Sequence, residues 1–177
     1  SLAVSASAAG TTTRKATDFK DYDRTAWYAE AVSAAVDNGL LYGKSSTIID
    51  PNGDMTRAEM AAIINRSFGC YKVADISQYK DVSKSKWYYK DVGLAVQMGT
   101  YNGRSSSAMA PDAPISRQEA MTVVARALEL DYDSYSKTDL SAFSDRSEIS
   151  NWALPYVRAM VGADYIHGRG KVLAPLD

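Results

Sequence analysis

The sequence predicts an all-α fold made of three tandem helix-loop-helix repeats, and three observations carry that prediction. First, one segment is written three times: Trp27, Trp87 and Trp152 are each followed 16 residues later by a glycine, Gly43, Gly103 and Gly168. Second, apolar residues after each tryptophan keep helical rhythm, as in Ala31, Val32, Ala35 and Val36. Third, two segments further on, Thr56-Arg57-Ala58-Glu59 and Ser116-Arg117-Gln118-Glu119, read as helix-opening capping boxes. Repeats of this length are units that cannot bury their apolar faces alone and must pack together.

Residues 1–18 read as an N-terminal tail. Within it Leu2 to Ala8 reads either as the end of a secretory signal, with Ala6-x-Ala8 as a cleavage site, or as a frayed Ala/Ser tail. Repeat one spans 19–78, repeat two 79–142 and repeat three 143–177. Each opens on an aromatic-x-Asp triplet, Phe19-Lys20-Asp21, Tyr79-Lys80-Asp81 and Phe143-Ser144-Asp145. The first helix of each repeat is expected to start at its tryptophan. Pro155 marks the first turn in repeat three, where proline costs no helical hydrogen bond. These helices are expected to end at Gly39 and Gly99, with Asp164 at the third equivalent position.

Loops rich in glycine and serine follow, through Gly43-Lys44 and Gly103-Arg104 to Pro51 and Pro111. The third loop, through Gly168-Arg169 to Pro175, is one residue shorter. The capping-box helices should reach about Phe68 and Leu128. Gly69 to Gln78 then links repeats one and two, and a linker rich in Asp, Ser and Tyr, Asp131 to Ser141, joins two and three. Repeat three reaches Asp177 about where its capping box would begin, so either the molecule was shortened or something else supplies that helix.

Twenty basic residues stand against 21 acidic ones, a net charge of −1, with no Lys/Arg stripe; nucleic acid is not expected as the partner. No apolar run approaches the roughly 18 to 20 residues that span a bilayer, so no membrane insertion is expected. Cys70 is alone and leaves the compartment open. The one histidine, His167, stands beside Gly168 with no nucleophile or metal-ligand spacing around it. Carboxylates are numerous enough for a glycosidase pair, but the aspartates recur with the repeat, as structural residues do. No cofactor, no metal and no catalysis are expected.

Read in order, Phe/Tyr-x-Asp, Trp-Tyr, Ala-Val, Gly-Leu-x-x-Gly, Pro and Thr-Arg-Ala-Glu resemble the S-layer homology motif, over about residues 19 to 177. Gln118, Thr100 and the absent third Thr-Arg-Ala-Glu depart from the pattern. The resemblance implies a pseudo-threefold assembly around a central helical bundle. It also implies a bacterial surface anchor, extracellular, that holds cell-wall polysaccharide in grooves between motifs. The implied ligand is often a pyruvylated amino sugar, or in some lineages modified peptidoglycan. A protein-binding helical scaffold or S-layer assembly unit is the alternative.

The residues make their own case for an anionic ligand. Arg57 and Arg117 follow their caps directly, where a guanidinium and free helix amides would together receive a carboxylate or phosphate. Both positions are expected to be exposed, so alanine there should weaken binding and spare the fold. Trp27, Trp87 and Trp152 either stack on sugar faces or begin the core. Asp21, Asp81 and Asp145 are turn or cap residues or direct ligands. Gly43, Gly103 and Gly168 supply positive φ or close approach, of backbone or of sugar. Lys44, Arg104 and Arg169 either line the groove mouth or are solvated charges. Tyr28, Tyr42, Tyr88, Tyr89 and Tyr101 lie near these elements and suit carbohydrate or ordinary packing.

Overall fold

A computed structural model describes residues 14–177. The Leu2 to Ala8 segment, read above either as the end of a signal or as a frayed tail, lies outside them. The described residues form five α-helices and no strand: α1 (Ala29–Asp37), α2 (Arg57–Phe68), α3 (Tyr89–Met98), α4 (Arg117–Ala127) and α5 (Leu154–Gly162). Short 3-10 turns occupy Ala16–Asp18 and Arg146–Glu148. The all-α prediction holds. None of these helices is long and apolar enough to cross a membrane.

Both capping boxes form. The Thr56 hydroxyl accepts from the Glu59 amide at 3.2 Å while the Glu59 carboxylate accepts from the Thr56 amide at 2.9 Å. Ser116 and Glu119 repeat the exchange at 3.3 and 2.9 Å. Past the ends of α1 and α3, Gly39 and Gly99 take left-handed φ of 67° and 77°. Asp164 holds 66° at the third position; a short polar side chain tolerates that region better than most. Pro155 stands in the first turn of α5, as its spacing predicts.

The tryptophans correct the expectation. They do not begin the helices: α1, α3 and α5 start two residues after Trp27, Trp87 and Trp152. Nor do they enter the core, since they are 90%, 59% and 51% exposed. The neighbouring residues Tyr28, Tyr88 and Ala153 are buried instead. One residue of phase separates these outcomes, because the first helical turn points successive side chains about 100° apart.

Contacts divide the chain into two compact units with a boundary between Gly53 and Asp54. In the first unit Ala16, Phe19, Val36 and Ile49 form a small core, flanked by Tyr22, Val32 and Leu41. The second unit holds two clusters. In one, α2 packs on α3 around Ala61, Ile64, Tyr88 and Val92. In the other, α4 packs on α5 around Met121, Ala125, Val157 and Leu173. Packing is therefore out of phase with the sequence repeat in this unit. The capping-box helix of one repeat pairs with the first helix of the next. Each fully buried aliphatic side chain there contributes about 1.5–3 kcal/mol.

Candidate functional site

The aromatic-x-Asp triplet builds the loop that frames the site. Asp81 accepts hydrogen bonds from the amides of Met109 (2.9 Å) and Ala110 (2.6 Å). Asp145 does the same for Leu173 (2.9 Å) and Ala174 (2.6 Å), and Asp21 for Ile49 (3.0 Å) and Asp50 (2.7 Å). Asp50, Ala110 and Ala174 all have left-handed φ, 55°, 54° and 49°. That conformation costs an alanine about 1–2 kcal/mol, which a charged acceptor on its amide helps to offset.

The amide bonds hold all three carboxyls below the ordinary aspartate value. For Asp21 the Ile49 amide leads; at Asp81 and Asp145 partial burial pushes upward but the paired amides outweigh it. These aspartates thus act as clamps on a distant loop. Sequence offers the signal: Asp21 to Pro51, Asp81 to Pro111 and Asp145 to Pro175 are each separated by 30 residues, although the segments between vary.

The aromatic of each triplet explains the glycine. A β-carbon on Gly43 would lie 2.5 Å from Phe19 Cε1, and one on Gly103 2.4 Å from Tyr79 Cε1. Gly43 also needs its φ of 83°, but Gly103 does not have positive φ; close approach is the shared requirement. The approaching group is an internal ring.

Two expectations about the arginines change. The helix amides are not free. In α2 the Arg57 amide donates to Ala113 O (2.9 Å) and the Ala58 amide to Pro111 O (2.9 Å). In α4 the Arg117 and Gln118 amides donate to Asp177 O (2.7 Å) and Pro175 O (3.0 Å). Each helix N-terminus is plugged by the loop of the following repeat. Nor is Arg57 exposed: 5% of it is accessible. Its Nε donates to Met109 O (3.0 Å), Nη1 to Glu119 Oε1 (2.8 Å) and Nη2 to Asn102 O (3.3 Å). Its guanidinium also lies 5.2 Å from the Tyr101 ring centre. An N1 side chain is buried here because another repeat's loop and helix close over it.

Arg117 is half-buried, and its Nε donates to Leu173 O at 2.9 Å, the counterpart of Met109. It makes no ion pair among the described residues, and burial lowers its pKa.

Beside Arg57 a cleft of about 520 Å³ opens, lined by Arg57, Thr100 to Arg104, Glu119, Thr122, Val123, Arg126 and Trp152. Three repeats contribute: the box arginine of the first, loop and box helix of the second, and tryptophan of the third. Arg104 is 45% exposed at its side chain and holds Glu119 Oε1 through Nε and Nη2, both at 3.2 Å. Glu119 therefore bridges two guanidiniums while also closing its own capping box. Arg126 reaches Thr100 O at 3.5 Å and stacks 4.8 Å over the Tyr156 ring. With three arginines against one glutamate the lining carries a net positive charge. An exposed indole flanks it.

Of the predicted residues, the cleft unites Arg57, Tyr101, Gly103, Arg104 and Trp152. Asp81, Asp145, Trp87, Gly168 and Arg117 belong to the same unit but do not line it. Asp21, Trp27, Gly43 and Lys44 lie in the first unit. Arg126 escaped the sequence reading because a cation in a last helical turn reads as a dipole complement. Its signal was the matching pair Arg57/Arg66 and Arg117/Arg126, nine residues apart in both box helices.

Fold and cleft define a helical-repeat module with a cationic, aromatic-edged groove formed between repeats. The family model of the S-layer homology domain matches residues 18–61 and 78–121. The chain belongs to that family. The Surface-layer 125 kDa protein of Lysinibacillus sphaericus is 31% identical over 86% of this chain and 13% of its own length. Exoglucanase XynX of Acetivibrio thermocellus is 27% identical over 92% of this chain and 15% of its own length. The S-layer protein sap of Bacillus anthracis is 26% identical over 70% of this chain and 14% of its own length. The chain thus spans a small fraction of each relative. The enzyme and the S-layer proteins share with it only that fraction.

Proposed function

We propose that this chain is a non-catalytic anchoring module of a bacterial surface protein, holding an anionic cell-wall polysaccharide in the cleft beside Arg57. The occurrence of similar segments as a minor part of both S-layer proteins and an exoglucanase supports a shared attachment role rather than a shared reaction. The observation that carries the ligand class is the convergence of Arg57, Arg104 and Arg126 beside the exposed ring of Trp152. Guanidiniums recognise a carboxylate in bidentate fashion, and an indole face covers the apolar face of a sugar. A pyruvyl ketal on a terminal sugar combines both features, an acidic group fixed rigidly to a ring.

Arg104 is the side chain able to change partner. It lies at the mouth, half-exposed, and releasing Glu119 would leave that carboxylate with Arg57. Arg57 is better seen as the fixed charge that shapes the cleft floor. Retention on purified wall glycan tests the reading. Trp152→Ala and Arg104→Ser should each lower retention several-fold without shifting the melting midpoint, and removal of the glycan's acidic substituents should abolish it. Retention that survives that removal would overturn the acidic-sugar reading and leave a neutral part of the wall glycan as the ligand.

A further inference from the structure

Tyr101 is an anomaly in the cleft. It is 3% exposed, and its hydroxyl is buried with no hydrogen-bond partner. An orphaned buried hydroxyl costs free energy and calls for an explanation. The corresponding positions of the other repeats, 14 residues after Trp27 and Trp152, are Leu41 and Ile166. An aliphatic residue therefore satisfies the fold at this place, and the phenol is not needed for packing. Tyr101 also lines the cleft, under Arg57 and beside Asn102 and Val123.

We propose that the Tyr101 hydroxyl is a ligand-reading group, a hydrogen-bond donor reserved for an oxygen of the saccharide that enters this cleft. The inference rests on the anchoring reading above and adds a specificity determinant to it. The geometry assigns the donor role. The neighbouring Arg57 guanidinium lies over the Tyr101 ring and makes no bond to its oxygen; having no acceptor, it could never take the phenol's hydrogen, whereas a sugar hydroxyl or acyl oxygen accepts it. Burial keeps the phenol protonated by raising its pKa, so the donor hydrogen persists across physiological pH. A donor that has already given up water bonds a ligand oxygen without a further desolvation cost. A saccharide lacking that oxygen leaves the hydroxyl as it was and gains nothing.

Tyr101→Phe is the test, read with a methyl glycoside of a pyruvyl-ketal hexosamine as probe. Calorimetric titration should show about tenfold weaker binding by the variant, the loss expected for one hydrogen bond to a preorganised buried donor. The melting midpoint should stay level or rise, since an unsatisfied hydroxyl has been removed. Equal affinity in variant and wild type, with a raised midpoint, would overturn the proposal and make the hydroxyl a tolerated defect. Should the wild type itself ignore the glycoside, the cleft reading falls and this one with it. Binding by the wild type with no loss in the variant defeats the hydroxyl's role alone. Tyr101→Leu, which copies Leu41, should behave like the phenylalanine variant; full affinity there would also count against the proposal.

Discussion

Arg57 and Arg117 occupy the same place in successive repeats, but Arg57 meets a carboxylate, a second loop carbonyl and an aromatic ring that Arg117 does not. Each donates its Nε to the loop of the next repeat, Arg57 to Met109 O and Arg117 to Leu173 O. Each of those loop residues is gripped through its amide by the repeat's aspartate, Asp81 or Asp145. Beyond this point the two diverge. Arg57 meets Glu119 at 2.8 Å and is sealed in, while Arg117 has no ion pair among the described residues. The difference shows what seals Arg57: the next repeat's loop and its box glutamate close over it together. Two boxes thus make one joint: the arginine of Thr56-Arg57-Ala58-Glu59 reaches forward to the next repeat, and the glutamate of Ser116-Arg117-Gln118-Glu119 reaches back.

Removing the two arginines sharpens this most strongly. Arg57→Ala should cost about 3 kcal/mol, because it leaves the half-buried Glu119 without its closest charge and a loop carbonyl without a donor. Arg117→Ala should cost about 1 kcal/mol, one hydrogen bond to a backbone oxygen. Urea unfolding monitored by circular dichroism measures both. Equal losses would break the comparison, since they would mean that Glu119 contributes nothing to the difference.

Glu119→Gln isolates that contribution. The amide preserves shape and one acceptor for the Ser116 amide but removes the charge shared by Arg57 and Arg104, at an expected cost of about 1.5 kcal/mol. In a double-mutant cycle the cost should shrink when Arg57 is already alanine and stay whole when Arg117 is. The same variant frees Arg104, so retention on acidic wall glycan should rise even as stability falls. Loss of both together would mean that Glu119 helps to hold the ligand rather than competing with it.

Much of this architecture was legible in the chain. Repeats, helix ends and capping boxes are local, and their residues specify them through propensity, hydrogen bonding and φ alone. The site was legible in parts. The box arginine, the loop glycine with the cation after it, and the tryptophan all reach the cleft, each from a different repeat. What could not be read was which copies combine. Arg57, Gly103 with Arg104, and Trp152 come together because box helices pack one repeat ahead of their own sequence, and local patterns carry no information on that offset. Burial of Arg57 was hidden for the same reason, since an N1 position is exposed unless a distant loop covers it. The tryptophans failed differently: one residue of helical phase decides between Trp87 and Tyr88 for the core, and apolar periodicity alone accepts either.

The smallest expected effect concerns acid, and it separates clamp from joint. Asp81 has a folded pKa below its unfolded value, so the stability it supplies is present above the unfolded aspartate value of about 3.9 and is lost as pH falls through the lower folded value. The same sign holds for Asp21 and Asp145. Urea midpoints should therefore be level near neutrality and fall below about pH 4. Asp81→Asn should lower the midpoint at pH 6 by the equivalent of about 1 kcal/mol, modest because the carboxylate is exposed on its outer side. Its decline on acidification should be shallower, one clamp having already been neutralised. Because Asp81 holds the residue whose carbonyl receives Arg57, loosening it should also reduce the later cost of Arg57→Ala while leaving that of Arg117→Ala unchanged. Identical acid profiles for wild type and variant would show that the Asp81 bonds to Met109 and Ala110 do not respond to charge. The arginine joint would then be rigid without its clamp.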